Sequence, residues 1–238
     1  MFRRLRILCL SLALAAPAAA LPMLQLDIAG GTYDTVDQTT VANADVFTLR
    51  TLLKANSSNV AVPYFLSVAI APGLALSNPA PDIGTFKING VAYTGSMLTW
   101  GTPPTNVPDF ESGNLSPHGI YPTYYLELQF SFANAGTVSA YNVQTDAAAS
   151  GVLRYVDFQV DVSALRSAYN LHFDLYNEKF RQGDYSVDRF APFSHDAASG
   201  SGGYEPPLTV RVPDTASVAG LAFGGIALLL VASRRRRN

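Results

Sequence analysis

Tyr124-Tyr125-Leu126-Glu127-Leu128-Gln129-Phe130-Ser131-Phe132 decides the fold class. Successive side chains of a strand point to opposite faces of a sheet. Tyr124, Leu126, Leu128, Phe130 and Phe132 therefore share one face, and Tyr125, Glu127, Gln129 and Ser131 share the other. The spacing predicts a strand with one side in a core and one side in water. The same period returns over residues 152–162. There Val152, Val156, Phe158, Val160 and Val162 oppose Asp157, Gln159 and Asp161, and Arg154 interrupts the apolar row. Leu171-His172-Phe173-Asp174-Leu175 and Leu24-Gln25-Leu26-Asp27-Ile28 repeat it, and residues 64–70 and 85–93 carry weaker versions. The pattern puts His172 on a solvated polar face. Residues 46–55 fit either a strand or a short helix, and residues 163–169 fit a helical turn.

Clusters of Gly, Pro, Asn and Ser separate these runs at residues 77–82, 101–108 and 199–207. Such residues set turns and end ladders. Many short strands with turn-rich connections predict an all-β body, an antiparallel β-sandwich or jelly-roll ectodomain over residues 21–198. Ser199-Gly200-Ser201-Gly202-Gly203 and Glu205-Pro206-Pro207 then read as a linker or stalk over residues 199–211, flexible first and stiffer later.

Both ends read as addresses. Arg3, Arg4 and Arg6 precede an apolar run over residues 7–16, and Ala18-Ala19-Ala20 offers small residues for cleavage. This is the layout of a secretory signal peptide over residues 1–20, with cleavage after Ala20 (Ala18 and Ala20 framing the site) and Leu21 as the mature terminus. The one cysteine, Cys9, falls within that signal. The mature body then has no disulfide and depends on its core. At the other end, residues 216–232 are uncharged and precede Arg234, Arg235, Arg236 and Arg237. As a helix they rise about 26 Å, near the lower limit for a bilayer span. The arginines form a cytoplasmic stop, which leaves the body outside the inner membrane.

The block Val212-Pro213-Asp214-Thr215, apolar helix and arginine cluster resembles the PEP-CTERM class of sorting signals, in its Val-Pro-Asp variant from Gram-negative bacteria. That resemblance implies an exosortase as partner and processing at the motif within residues 212–238. It implies passage of the body to the cell surface or matrix. Asp214 and Thr215 stand where Glu and Pro are commoner in the class. The body resembles the choice-of-anchor N proteins, through Leu24-Gln25-Leu26-Asp27-Ile28-Ala29-Gly30-Gly31-Thr32-Tyr33-Asp34, Pro117-His118-Gly119-Ile120-Tyr121-Pro122-Thr123-Tyr124-Tyr125 and Ala191-Pro192-Phe193-Ser194-His195-Asp196-Ala197. This second likeness implies a domain and a location, not an activity.

Between Leu21 and Val212 there are nine basic and 17 acidic residues, so the body is near −8 although the whole chain is −2. A nucleic-acid partner is disfavoured, because binding one requires cations to displace counterions from phosphates. No catalytic site is expected. Ser194-His195-Asp196 are consecutive and their side chains alternate in direction, unlike a hydrolytic triad. Glu111, Glu127, Glu178 and Glu205 show no spacing of a glycan-cleaving carboxylate pair. For metals, calcium through Asp184, Asp188 and Asp196 is the leading idea, with Asp34 and Asp37 at a turn as ordinary turn residues or further ligands. His118 and His195 near Asp196 form a second set. Tyr121, Tyr124 and Tyr125 are either core or a stacking platform for exopolysaccharide. Two alternatives remain beside the sorted matrix protein. One is a permanently anchored single-span surface protein with a carbohydrate- or calcium-binding body, the other a secreted glycan-active enzyme.

Overall fold

The computed structural model describes residues 21–54, 59–107 and 121–200. Fourteen strands follow in chain order: β1 (Leu24–Ile28), β2 (Thr32–Asp34), β3 (Thr39–Val41), β4 (Val46–Leu53), β5 (Tyr64–Ala71), β6 (Gly84–Ile88), β7 (Val91–Tyr93), β8 (Thr99–Gly101), β9 (Thr123–Phe130), β10 (Gly136–Asn142), β11 (Ala147–Leu165), β12 (Asn170–Arg181), β13 (Asp184–Phe190) and β14 (Asp196–Ala198). Among the described residues there is no α-helix, only short 3-10 turns at Gly95–Met97 and Phe193–His195. No helix among them is long and apolar enough to cross a membrane. The expected signal over residues 1–20, the span over 216–232 and the motif from Val212 to Thr215 lie outside the described residues.

The strands form two sheets. The first runs β1-β4-β11-β6-β7, with β10 beside β11; the second runs β2-β3-β14-β12-β5-β9-β8, with β13 beside β12. All pairings are antiparallel except that of β14 with β3. One long strand organises each sheet. β11 carries β4 along one edge and divides the other between β10 and β6. β12 carries β5 along one edge and divides the other between β14, opposite His172 and Phe173, and β13, from Tyr176 onward.

Alternation explains the layering. Leu24, Leu26, Ile28, Leu49, Phe86, Phe158 and Val160 from the first sheet meet Leu66, Val68, Ile70, Leu171, Phe173 and Leu175 from the second in one core. Phe47 meets Phe173 edge-on at 6.2 Å, and Phe130 meets Phe158 at 5.3 Å, so aromatic rings bridge the layers. Tyr124, Leu126, Leu128, Phe130 and Phe132 all join this core, as their alternation requires.

Several local expectations are refined. Residues 46–53 are a strand, because Phe47, Leu49 and Leu53 need period two to reach the core. Ser163, Ala164 and Leu165 continue β11, and the turn is confined to Arg166 through Tyr169, closed by the Tyr169 amide donating to the Arg166 carbonyl at 2.9 Å. Residues 85–93 split into a hairpin at Asn89-Gly90, where φ is +50° and +81°. This is the left-handed pair that a two-residue hairpin turn requires. Gln182-Gly183 does the same between β12 and β13. Ser199, placed at the start of the linker, still belongs to the sheet. Its amide donates to the Leu171 carbonyl at 2.9 Å, and its Oγ accepts from the Leu171 amide at 2.8 Å.

Candidate functional site

On β12 the odd residues Leu171, Phe173 and Leu175 enter the core, so His172, Asp174 and Tyr176 must point to the opposite face of the second sheet. Antiparallel register sets their neighbours. His172 lies across from Ala69, Asp174 from Ser67 and Tyr176 from Phe65 on β5; Ala69 and Ser67 in turn face Tyr125 and Glu127 on β9. On the other edge β14 brings Ala198 opposite His172, and period two places Asp196 on the same face. Alternation alone makes this a wet face. Instead His172 is 6% exposed, Asp174 4%, Asp196 1% and Ser67 0%. The reason is cover. Tyr121 is itself buried and its ring lies 6.5 Å from the His172 ring. Thr105 and Asn106 fold back onto Glu127 and Glu178.

The result is a buried convergence of three ligand-type groups. His172 Nε2 lies 3.3 Å from Asp174 Oδ1 and 3.4 Å from Asp196 Oδ2. All three ligand atoms fall within 4.8 Å of one another. Burial alone would lower the affinity of His172 for a proton; the charges of Asp174 and Asp196 reverse this and carry it up to about 9. Burial pushes the Asp196 carboxyl well above the usual carboxylate range, with the charge of His172 acting against it. The cluster therefore holds protons, or another cation, tightly.

Beyond this trio the same face carries a second polar group. Tyr176, fully buried, donates its hydroxyl to Glu127, and the Thr105 amide also donates to Glu127 at 3.0 Å. Asn106 Nδ2 donates to Glu178 at 2.9 Å, and burial raises the Glu178 carboxyl above its ordinary value. Phe65, Tyr176 and Phe190 stack alongside, 6.0 and 5.9 Å apart.

The expected calcium ligands do not sit together as a set. Asp184 is exposed at the start of β13. Asp188 is held by Lys179 and by Arg189, the latter at 2.9 Å, so its charge is already balanced. Asp196 belongs to the buried trio with His172 and Asp174. His195 does not converge with it. His195 is buried next to Asp196, its Nδ1 lies 2.8 Å from Ser194 Oγ, and burial holds it down to about 4 and so neutral. His118 lies outside the described residues, as do Glu111 and Glu205. Asp34 accepts from the amides of Val36 and Asp37, an ordinary turn role. Tyr121, Tyr124 and Tyr125 are all buried and form no platform. The exposed aromatic pair is instead Phe180 and Tyr185, 62% and 44% exposed, with rings 4.9 Å apart on the β12–β13 hairpin.

Sequence reasoning missed Asp174 and His172 because it assigned them to solvent. The detectable signal was the His-x-Asp spacing itself, which places two ligand types on one strand face. Comparison of the chain with family models, with curated proteins and with solved structures found no match.

Proposed function

We propose that this chain is an exported, non-catalytic protein of the Gram-negative envelope or extracellular matrix. Its two-sheet body, a β-sandwich of jelly-roll type, is carried outward by the N-terminal signal. The C-terminal helix holds it in the inner membrane until an exosortase processes it near Val212-Pro213-Asp214-Thr215. The observation that carries this reading is the three-part tail: a Pro-Asp motif, an uncharged run over residues 216–232, and Arg234 through Arg237. Pro213 fixes its own φ and disfavours helix in the residue before it, which keeps the motif extended and accessible to an enzyme at the membrane surface.

The body is compatible with both processing events. The expected cleavage after Ala20 precedes β1, and the expected processing point follows β14, so every described strand stays with the mature protein. Its core is cysteine-free, which suits a secreted domain that folds on apolar burial alone. An association with exopolysaccharide fits the exposed Phe180 and Tyr185, since ring faces offer apolar contact to sugars.

Mass spectrometry of the extracellular form tests the reading. A mature protein that starts at Leu21 and lacks Arg234 through Arg237 is expected. Retention of the arginines in a strain with an active exosortase would instead show permanent anchoring. A reporter placed upstream of Pro213 that reports from the cytosol would overturn export altogether.

A further inference from the structure

The convergence of His172, Asp174 and Asp196 lies apart from the signal peptide and the sorting motif, and the purpose assigned to it rests on the anchored reading proposed above. Among the described residues it is the one group of three His, Cys, Asp or Glu side chains whose ligand atoms meet. We propose that His172 Nε2, Asp174 and Asp196 bind one divalent ion of the zinc class, which clamps the terminal strand β14 to β12.

Distances support the clamp. Zinc bonds of about 2.0–2.2 Å in tetrahedral arrangement separate neighbouring ligand atoms by roughly 3.3–3.6 Å. The Nε2–Oδ distances here are 3.3 and 3.4 Å. Two of the three edges thus have the length that such an ion needs, and all three ligand atoms lie within 4.8 Å of one another.

Charge supports it as well. A dication that displaces the protons held by the trio leaves two carboxylates and a neutral imidazole, whose −2 it brings to zero. Buried charge is tolerated only when paired or bound to metal. Across β5 from Asp174, Ser67 Oγ is fully buried and has no hydrogen-bond partner. Directly opposed residues of antiparallel strands hold their Cβ atoms about 5 Å apart. A polar hydroxyl is therefore held beside the trio, where a bound ion or its water would give it a partner.

The donor types select the ion. Calcium wants six to eight oxygens, whereas imidazole suits zinc and its transition-metal neighbours. The element arrangement gives the ion a purpose. β14 spans three residues and meets β12 through His172–Ala198 and Phe173–Ala197 only. It is also the last described strand before the chain leaves for its anchor. An ion shared between Asp196 on β14 and the His172 and Asp174 pair on β12 would fasten the strand that takes any pull from the stalk.

The test uses the untagged full chain, extracted in mild detergent, stripped with EDTA and reloaded with zinc alone. About one equivalent of zinc should be retained after dialysis. The melting midpoint should rise by roughly 5–10 °C at a hundredfold excess over the dissociation constant. Cobalt in place of zinc should give the visible absorption of a tetrahedral site. Asp196→Asn and His172→Gln should each lower zinc affinity by at least tenfold, while calcium produces no comparable shift. Wild-type protein that takes up no zinc, or whose midpoint is unmoved by it, overturns the proposal and leaves a buried ion triad. Undiminished uptake by both variants overturns it too, by locating the ion elsewhere. The wild-type measurements decide even if a variant does not fold.

Discussion

The two sheets present the same alternating sequence to the same core, yet the outer faces of β11 beyond Tyr155 and of β12 have opposite fates, while the other end of the first sheet buries Leu52, Ala140, Val143 and Leu153 in a second cluster. On β11 the polar set Asp157, Gln159 and Asp161 lies in partial contact with water, as a ladder of exposed pairs. Arg50 grips Asp157 with two bonds of 2.8 Å, Lys87 reaches Asp161 at 2.9 Å, and Gln159 Nε2 donates to Thr48 Oγ1 at 2.8 Å. On β12 the polar set His172, Asp174 and Tyr176 is buried: His172 pairs with Asp174, and Tyr176 donates to Glu127. Alternation fixes which residues face the core. It says nothing of what lies over the other side, and that cover determines whether an aspartate is solubilising or structural.

Substitutions in the two layers should therefore differ sharply. The largest effect is expected at Asp174. Removing one member of a buried charged group strands the others, at a cost of about 3–5 kcal/mol. In metal-free buffer Asp174→Ala should lose about that much in denaturant unfolding, whereas Asp157→Ala on the first sheet should lose about 1 kcal/mol. Comparable small losses at both positions would mean that the second sheet's face is wet, and the contrast between the sheets would disappear. Next in size is Tyr176→Phe. The hydroxyl is buried and donates to Glu127, a bond to a charged acceptor worth about 1.5–3 kcal/mol. A destabilisation below about 0.5 kcal/mol would show that Glu127 finds water in place of the phenol.

Much of the first layer could be read from residue order. The core faces of residues 24–28, 124–132 and 156–162 were predictable because apolar period two leaves no other burial solution; Val152, placed on that face by the same alternation, is instead 58% exposed, and Leu153 is buried in a second cluster on the other side of the sheet. The hairpin at Asn89-Gly90 is visible in its dipeptide, although the alternation over residues 85–93 alone suggests one run. The short strands β2, β3, β8 and β14 were not legible. At three residues each they have no period to detect, and they exist because longer neighbours offer them an edge. The candidate site was illegible for a related reason. Asp196 and the pair His172 and Asp174 are more than 20 residues apart, and β14 joins them only after β12 has formed its edge. Asp184, Asp188 and Asp196 looked clustered because they are close in sequence, but Asp184 and Asp188 lie on β13, Asp196 lies on β14, and Lys179 and Arg189 already pair with Asp188.

Two smaller effects sharpen the picture of the exposed layer. Arg50 stacks its guanidinium 4.1 Å over the Tyr155 ring as it pairs with Asp157, and both side chains are about a quarter exposed. Arg50→Ala should cost about 1 kcal/mol, and most of the pair's share should vanish in high salt. A loss that persists unchanged at 1 M salt would assign the effect to ring stacking instead of charge.

The smallest effect is expected at Asp161, where the register of β11 against β6 shifts between Asp161 and Ala164. Asp161 Oδ1 accepts from the Ser163 amide at 3.0 Å and from Ser163 Oγ at 2.5 Å, while Oδ2 takes Lys87. The Ser163 hydroxyl, then Lys87 and the Ser163 amide, draw its carboxyl down to about 2. A carboxyl whose folded value is depressed contributes stability above its unfolded value near 4, and that contribution disappears as pH falls through about 2. Asp161→Asn should therefore melt slightly below wild type at pH 6 and level with it near pH 2. A gap of constant size across that range would mean that the clasp at the bulge acts through shape alone, and that the exposed ladder of the first sheet owes nothing to charge at this position.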